Sequence, residues 1–271
     1  MKTVGILYHP KIASAGALAE ELASYLPTLG ASAWLCSAWE EEEAKAQTEA
    51  TDLLVSIGGD GTILRAARAA LSWSVPIVGV NLGRLGFMTE LGPAEAREGL
   101  ARYLAGEGWV DERAMLEVHL AGKEPVHALN DMFVGRGVIP RVVDIETIVD
   151  GALLATYRTD GMIVATATGS TGYSLAAGGP ILYPQSKDIV LNCVCPHLTF
   201  SNALVLASTT AVELKVHTTH EAMFSIDGQV NHELKDGDSV RVRISPHVTR
   251  FLRFQPPTHF YDTLMNRLVR K

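Results

Sequence analysis

Two glycine-rich strings carry the residue types that phosphate chemistry uses. The first, Gly58-Gly59-Asp60-Gly61-Thr62, lies between an apolar run from Leu53 to Ile57 and an amphipathic run from Ile63 to Leu71. That order predicts strand, glycine turn and helix. Glycines let backbone N–H groups approach phosphate oxygens, and a helix N-terminus adds a partial positive charge worth a few tenths to about 1 kcal/mol. Asp60 is the informative residue. A carboxylate about 4 Å from a single phosphate charge costs roughly 4 kcal/mol at an effective dielectric of about 20. A neighbouring cation or a proton-accepting task accounts for its presence. Asp60 and Gly61 can also be read as a helix cap and a turn closer, with no ligand involved.

The second string runs from Asp160-Gly161 through Thr168-Gly169-Ser170-Thr171-Gly172-Tyr173-Ser174 to Gly178-Gly179-Pro180. A strand from Met162 to Ala165 leads into a loop of small and hydroxyl-bearing residues. Such a loop lets a flat ligand reach the backbone, and Tyr173 supplies a stacking face with a polar tip. Capping of a helix that starts near Ser174, with Tyr173 in the core, explains the same residues. Between the two strings stand Asn81-Leu-Gly-Arg-Leu-Gly-Phe87 and Asn130-Asp131. An Asn–Asp pair offers a donor and several acceptors for a base edge. The chain has no GxxxxGK[ST], no GxGxxG after a strand, no GxSxG and no HExxH, which removes the main support for Walker ATPases, dinucleotide dehydrogenases, hydrolase elbows and zincins. His217 and His220 form no metal spacing with a third ligand, so they and Cys193 and Cys195, read as alternating within a strand, are assigned to packing or surface.

Positioning these strings takes two kinds of architecture. Up to about Gly106, short apolar runs alternate with amphipathic stretches, as in βα units on a parallel sheet. Val4 to Tyr8 is a strand, Ser14 a helix N-cap, and Leu18, Leu22, Tyr25, Leu26 and Leu29 share one helical face that Gly30 ends. Ala33 to Cys36 is a strand, the acidic run Glu40 to Glu43 opens a solvated helix, Val75 to Val80 is a strand, and Pro93 starts a helix to about Leu104. Beyond Trp109 the period is two: Leu116, Val118 and Leu120, then Val212, Leu214 and Val216, then Val240, Val242 and Ile244 alternate with polar residues. Asp150-Gly151 and Asp236-Gly237 are placed at hairpin turns. Pro256-Pro257 precedes a short helix from Tyr261 to Val269, whose Leu264, Leu268 and basic end predict docking. The expected organisation is an N-terminal open α/β nucleotide-binding domain over 1–108, a mainly antiparallel β domain over 109–248, and a C-terminal segment, 249–271.

Composition narrows the function classes. The 271 residues suffice for one large or two ordinary domains, and 47% hydrophobic with 20% charged residues excludes a disordered tail or a disulfide scaffold. A net charge of −7 disfavours sequence-independent nucleic-acid binding, which needs cationic surface. Cys36, Cys193 and Cys195 cannot pair fully and have no CxxC spacing, which predicts a reducing, cytoplasmic setting. No apolar run approaches the roughly 18 residues that span a bilayer, and the first residues lack a sustained apolar segment, so neither secretion nor a membrane is expected.

The strings GGDGT, NLGRLGF, NDMFV, TDGMIVATATGSTGYSLAAGGP and SIDGQ, in this order, resemble the NAD kinase family over nearly the whole chain. GGDGT is shared with lipid kinases; the TGSTGYSLAAGGP block distinguishes the NAD kinases. The resemblance implies an α/β domain, a β domain, a C-terminal segment returning to the first, and a homodimer or homotetramer. It implies that Asp60, with Gly61 beside it, accepts the proton of the 2′-hydroxyl on the adenosine ribose of NAD as ATP donates its γ-phosphoryl group. Asn130 and Asp131 are implied to read adenine and ribose, Asp160 the nicotinamide amide, and Thr171, Gly172, Tyr173, Ser174 and Ala176 to line the dinucleotide. Phe87 is expected near the same pocket, and Gln229 follows the DGQ turn. Arg65, Arg141 and Arg158 stand where the family often has phosphate- or ribose-facing residues, or are surface cations. Two departures stand out: Asp131 replaces the family's usual glutamate, which lengthens the contact or adds a water, and Asn202-Ala203 follows Pro196-His197 where the family commonly has Arg-Pro. Mg²⁺ or Mn²⁺ is the implied cofactor, with no protein ligand set assigned to it. A lipid-type kinase and a non-catalytic dinucleotide sensor are the alternatives; the first needs an apolar membrane-facing surface, and the second has no use for a carboxylate beside phosphates.

Overall fold

A computed structural model of the protein describes residues 1–83, 86–137, 141–197 and 202–268, the last two without their side chains. Two compact units divide the chain, one formed by Met1–Glu112 with Thr249–Lys271 and the other by Arg113–Val248. In chain order the elements are β1 (Thr3–Tyr8), α1 (Ala13–Tyr25), β2 (Ser32–Ser37), α2 (Glu41–Thr48), β3 (Leu53–Ile57), α3 (Asp60–Ala70), β4 (Ile77–Val80) and α4 (Ala96–Leu104). Then follow β5 (Trp109–Leu120), β6 (Val126–Ala128), β7 (Asp131–Arg136), β8 (Val143–Val149), β9 (Ala152–Thr159), β10 (Gly161–Ala165) and α5 (Tyr173–Ala176). The last are β11 (Ile189–Val194), β12 (Leu204–Leu206), β13 (Val212–His217), β14 (Ala222–Ile226), β15 (Val230–Leu234), β16 (Ser239–Arg253) and α6 (His259–Leu268).

The first unit carries parallel strands in the order β2-β1-β3-β4. β3 and β4 are buried along their whole length, which requires cover on both faces. Leu18, Leu22 and Leu26 pack with Val4, Ile6, Val55 and Val78. Gly79 lets α3 lie close on the sheet, because a Cβ there would stand 2.6 Å from the Ile63 side chain. The far end of β16 joins β4 in parallel, Phe251 opposite Ile77. The segment after residue 248 thus belongs to this unit.

The second unit is antiparallel. One sheet runs β12-β11-β10-β7-β14-β15; in the other, β13 lies between β8 and the first residues of β16, with β9 beyond β8. Side chains of both, among them Val134, Met162, Phe224, Ile145, Leu214 and Val240, form one core. The fold class expected from the sequence is the one observed.

Local differences have local causes. Ser14 does not cap α1: the Ala15 N–H donates to Ile12 O at 2.9 Å, so Ile12 takes the cap position without a side-chain bond. α3 starts at Asp60, three residues before the apolar periodicity begins, since the N–H groups of Thr62 and Ile63 both donate to Gly59 O. Asp150 and Gly151 have φ of 49° and 82° at the β8–β9 hairpin as expected, but Asp236-Gly237 links β15 to β16, which lie in different sheets. The hairpin that the alternation misses is β14–β15, turned by Asp227 and Gly228 at φ 52° and 64°. Cys195 stands beyond β11, exposed, at φ 51°. Glu117, one of the polar residues alternating along β5, is buried against Arg243 and His119. In α6, Leu264 is half-buried; the Leu268 side chain, Val269, Arg270 and Lys271 lie outside the described residues, as do Arg84 and Leu85.

Candidate active site

In the first unit the GGDGT turn sits at the end of β3. Gly58 is forced by packing, since a Cβ there would stand 2.3 Å from Thr62 Oγ1. Gly59 is extended, at φ −99° and ψ −172°, and a Cβ there would meet nothing within 4 Å. Neither conformation nor packing demands glycine at 59, where a side chain would point into open space. Asp60 is the first residue of α3, where a negative charge suits the helix dipole, and the cap position belongs to Gly59. Gly86 lies against the Asp60 carboxylate: a Cβ at 86 would fall 2.1 Å from Asp60 Oδ1. The Gly86 N–H donates to Thr89 Oγ1 at 2.7 Å, which fixes that backbone.

Gly61, next in the helix, is exposed, and Phe87, following Gly86, is half-buried. Arg65, one turn along α3, places its guanidinium 4.2 Å from the Trp39 ring centroid, and His9 meets the same ring edge-on at 4.5 Å. Its buried Nε has no hydrogen-bond partner.

In the second unit the NDMFV and TGSTGY strings are laced together. Thr166 Oγ1 donates to Leu129 O at 2.6 Å, the Thr166 N–H donates to Asn130 O at 2.9 Å, and the Gly169 N–H donates to Thr166 Oγ1 at 3.1 Å. A Cβ at Gly169 would lie 2.0 Å from Asn130 O, so glycine is required there. Much of the hydroxyl content is internal: Ser170 Oγ donates to Ala167 O and Thr171 Oγ1 to Thr168 O. Gly172 and Ala176 are exposed and Gln229 half-buried. Ser174 is wholly buried, its Oγ without a partner, beneath a Gly179 whose Cβ would stand 2.4 Å away.

Asp227 organises Asn130 and Asp131. Its carboxylate accepts the N–H groups of Leu129 at 3.0 Å, Asn130 at 2.8 Å and Asp131 at 3.2 Å. Burial, and then the Asp227 charge, raise the Asp131 carboxyl from 3.8 to about 7, so near neutral pH it can donate as well as accept. A Cβ at Gly172 would be 3.8 Å from Asp131 Oδ2, which puts the turn of the second string beside that carboxyl. Asp160 pairs with Arg136, Oδ1 to Nε at 3.2 Å. Tyr173, 45% exposed, tilts against Phe133 at 5.6 Å; burial and next the Asp160 charge push its hydroxyl above the ordinary phenol range, keeping it a donor.

Arg141 and Arg158 line a separate cavity of about 730 Å³ with Asp144, His217, His220 and Asp236. Arg141 Nη1 donates to His220 Nε2 at 2.7 Å. The structure therefore gathers Asn130, Asp131, Asp160 and the 171–176 residues in one region and these two arginines in another cavity of the same unit. Gly86, Phe133, Arg136 and Asp227 escaped selection from sequence. Three of these lie inside strings already noted, NLGRLGF, NDMFV and SIDGQ, but their work is done by backbone and packing, which residue type alone does not signal.

Residues 12–108 match the family model of the ATP-NAD kinase N-terminal domain, and residues 129–254 that of the ATP-NAD kinase C-terminal domain. The chain belongs to the NAD kinase family. A relative from Dehalococcoides mccartyi named NAD kinase is 45% identical over 272 residues, covering 98% of this chain and 96% of its own. Among solved structures, yeast NADH kinase complexed with NADH superposes with a TM-score of 0.85 at 25% identity, over 99% of this chain and 87% of that one. An NAD kinase from Archaeoglobus fulgidus in complex with ATP gives 0.78 at 26% identity, over 97% and 96%.

Two outcomes follow from the geometry of these NAD kinase strings. Gly86→Ala puts a methyl 2.1 Å from Asp60 Oδ1, 2.9 Å from its Cγ and 3.1 Å from Thr89 Oγ1, so the Asp60 carboxylate must turn away; with Asp60 as a candidate catalytic group, the expected cost is on the order of 10²-fold in turnover. Unchanged turnover in a steady-state assay contradicts the assigned contact. Asp131, raised from 3.8 to about 7 on folding, adds stability that is complete below about pH 4 and is lost as pH rises to about 7. Asp131→Asn cannot ionise, so its melting temperature falls less than wild type across that window; parallel profiles from pH 4 to 7 contradict the assignment.

Proposed function

We propose that this protein transfers the γ-phosphoryl group of ATP to the 2′-hydroxyl of the adenosine ribose of NAD, giving NADP, with Asp60 as the proton acceptor. The observation that carries this reading is the Asp60 carboxylate, set at the first position of α3 against a glycine whose side chain would displace it. A carboxylate that neither caps the helix nor avoids a phosphate-binding turn has a chemical task.

Aspartate carboxyls, with a reference pKa of about 3.9, are ionised at neutral pH and are weak bases. That weakness is acceptable in phosphoryl transfer, whose loose transition state draws most of its acceleration from positioning and charge neutralisation. Asp60 orients the attacking hydroxyl and takes its proton as the bond to phosphorus forms. Gly61 and the open backbone at Gly59 admit the donor phosphates, with Arg65 one turn away and Phe87 beside the carboxylate-facing Gly86. Asn130 and Asp131, held by Asp227, read adenine and ribose; Asp160 meets the nicotinamide amide. Thr171, Gly172, Tyr173, Ala176 and Gln229 line the dinucleotide, with Ser174 supporting them from beneath. Arg141 and Arg158 supply phosphate-facing charge from their cavity.

A divalent cation, Mg²⁺ or Mn²⁺, supplies charge neutralisation when carried on the donor phosphates. Among the described residues, the one set of three close ligand atoms is Cys36, Glu40 and Glu43. That set includes a buried cysteine sulfur, whereas Mg²⁺ takes oxygen ligands. Mg²⁺ commonly keeps several waters and binds substrate phosphates, so the donor itself would carry it, with no protein ligand assigned. The same reading places the protein in the cytoplasm as a homodimer or homotetramer. Among the described residues no helix is long and apolar enough to cross a membrane. Leu153, 64% exposed on the outer strand β9, is apolar surface that a second copy would cover.

The test is incubation with NAD, ATP and Mg²⁺, scoring NADP with a dehydrogenase that accepts NADP alone. Asp60→Asn keeps NAD binding and loses roughly 10² to 10⁴ in turnover, the range for removal of a general base. Wild-type turnover in the variant overturns the role of Asp60. NAD binding with no product from the wild type favours a dinucleotide sensor.

A further inference from the structure

The carboxyl ends of the first three strands of the first unit stand side by side. The His9 N–H donates to Ile57 O at 3.0 Å and the Ala38 N–H to Tyr8 O at 3.0 Å, so the residues leaving β1 and β2 are fastened beside the glycine turn that leaves β3. Open α/β sheets bind their ligands at that end of the strands. His9 lies against the turn itself, since a Cβ at Gly58 would stand 3.3 Å from His9 Cβ. The Lys11 N–H donates to His9 Nδ1 at 3.2 Å, and the fixed imidazole meets the exposed Trp39 ring at 4.5 Å. Trp39 is held by its own N–H, which donates to Ser37 Oγ at 3.2 Å, and its ring carries the Arg65 guanidinium 4.2 Å from the centroid.

Arg65 is thus held by a ring and not by a carboxylate. Glu41 is engaged by Arg68 at 3.4 Å and by Lys45 at 2.9 Å, and among the described residues no acid forms an ion pair with Arg65. Burial and then the Arg68 charge lower the Arg65 guanidinium below its ordinary value, a crowding of like charges that a bound anion relieves. Gly61 and Arg65, four residues apart in α3, share a helix face, and a side chain at 65 leans back over the turn before it.

We propose that Trp39 is a positioning residue for the phosphoryl donor, holding Arg65 flat so that its in-plane N–H groups meet the donor phosphates at the glycine turn. The proposal rests on the reading of ATP as donor to NAD. A carboxylate partner would occupy the edges of the guanidinium and cancel its charge, whereas a stacked ring orients the group and leaves both edges and charge available. Trp39 acts through Arg65, so its loss is read in donor binding.

The experiment is steady-state kinetics of the full chain with NAD, ATP and Mg²⁺, each nucleotide varied at saturation of the other. Trp39→Leu is expected to raise the KM for ATP about tenfold, while kcat and the KM for NAD stay within about twofold of wild type. Trp39→Phe, which keeps a ring face, restores the wild-type KM for ATP. Arg65→Met raises that KM at least as much as Trp39→Leu does, and combining the two costs nothing further, as required of residues that act as one. General damage to the fold lowers kcat and moves both KM values. Trp39→Gln, polar at the same exposed place, repeats the test should the leucine variant not fold. An unchanged KM for ATP, a KM for NAD that rises in step with it, or a Trp39 penalty that persists in the Arg65→Met background overturns the proposal. Absence of NADP from the wild-type reaction instead overturns the reading of the reaction on which the proposal stands.

Discussion

The first unit depends on one buried guanidinium. The Arg253 side chain is 8% exposed, and it reaches Glu90 at 3.1 Å and Asp111 at 3.4 Å, whose side chains are each 4% exposed. Its Nη1 also donates to Met88 O at 3.0 Å, and Glu90 accepts the N–H groups of Phe254 and Gln255. Burying three charges is tolerable only when each is paired and its remaining hydrogen-bonding capacity is used, as here. The consequence is geometric. Residues 88–90 are fastened to the end of β16, and the same short segment carries Thr89, which holds the Gly86 backbone against Asp60. The chain's late return to its first sheet thus places the wall behind the candidate base.

The second unit solves a similar problem with a carboxylate. Asp227, at a left-handed turn between β14 and β15, gathers three successive N–H groups from residues 129–131 and donates its own N–H to Asp131 O. Leu129 and Asn130 in turn accept from Thr166, inside the second glycine string. A substrate-reading surface built from a strand start and a loop gains from such rigid support, because side chains on mobile loops lose the geometry that recognition requires. The cost is visible at Asp131, whose carboxyl is raised by burial beside a second carboxylate.

Much of this was legible in the sequence where a residue type and its periodicity agree. Strands β1, β3, β13 and the first half of β16 follow from alternation or buried apolar runs, and Gly30 ends its helix with φ 76° as a glycine after an apolar face should. Asp60 and the second glycine string stand out in the sequence because glycine, carboxylate and strand–helix order combine in few other ways. What escaped was decided by backbone bonds. The early start of α3 depends on two N–H groups converging on Gly59 O, and the hairpin at Asp227-Gly228 hides in a string that also reads as a ligand loop. Hydroxyls in the TGSTGY string look available in sequence, yet Ser170 and Thr171 direct theirs to neighbouring backbone. Arg136 and Arg253 carry no signal of their own, since an unpaired arginine in a strand reads as solvated surface.

The central claim is that the phosphoryl group goes to one hydroxyl of NAD, the 2′ of the adenosine ribose. The most direct test is phosphorus and proton magnetic resonance of the purified product made from NAD and ATP. A phosphomonoester coupled to the adenosine ribose 2′ proton is the expected result. A phosphate on any other hydroxyl, or ATP consumed with the dinucleotide unchanged, would contradict the assigned chemistry of Asp60.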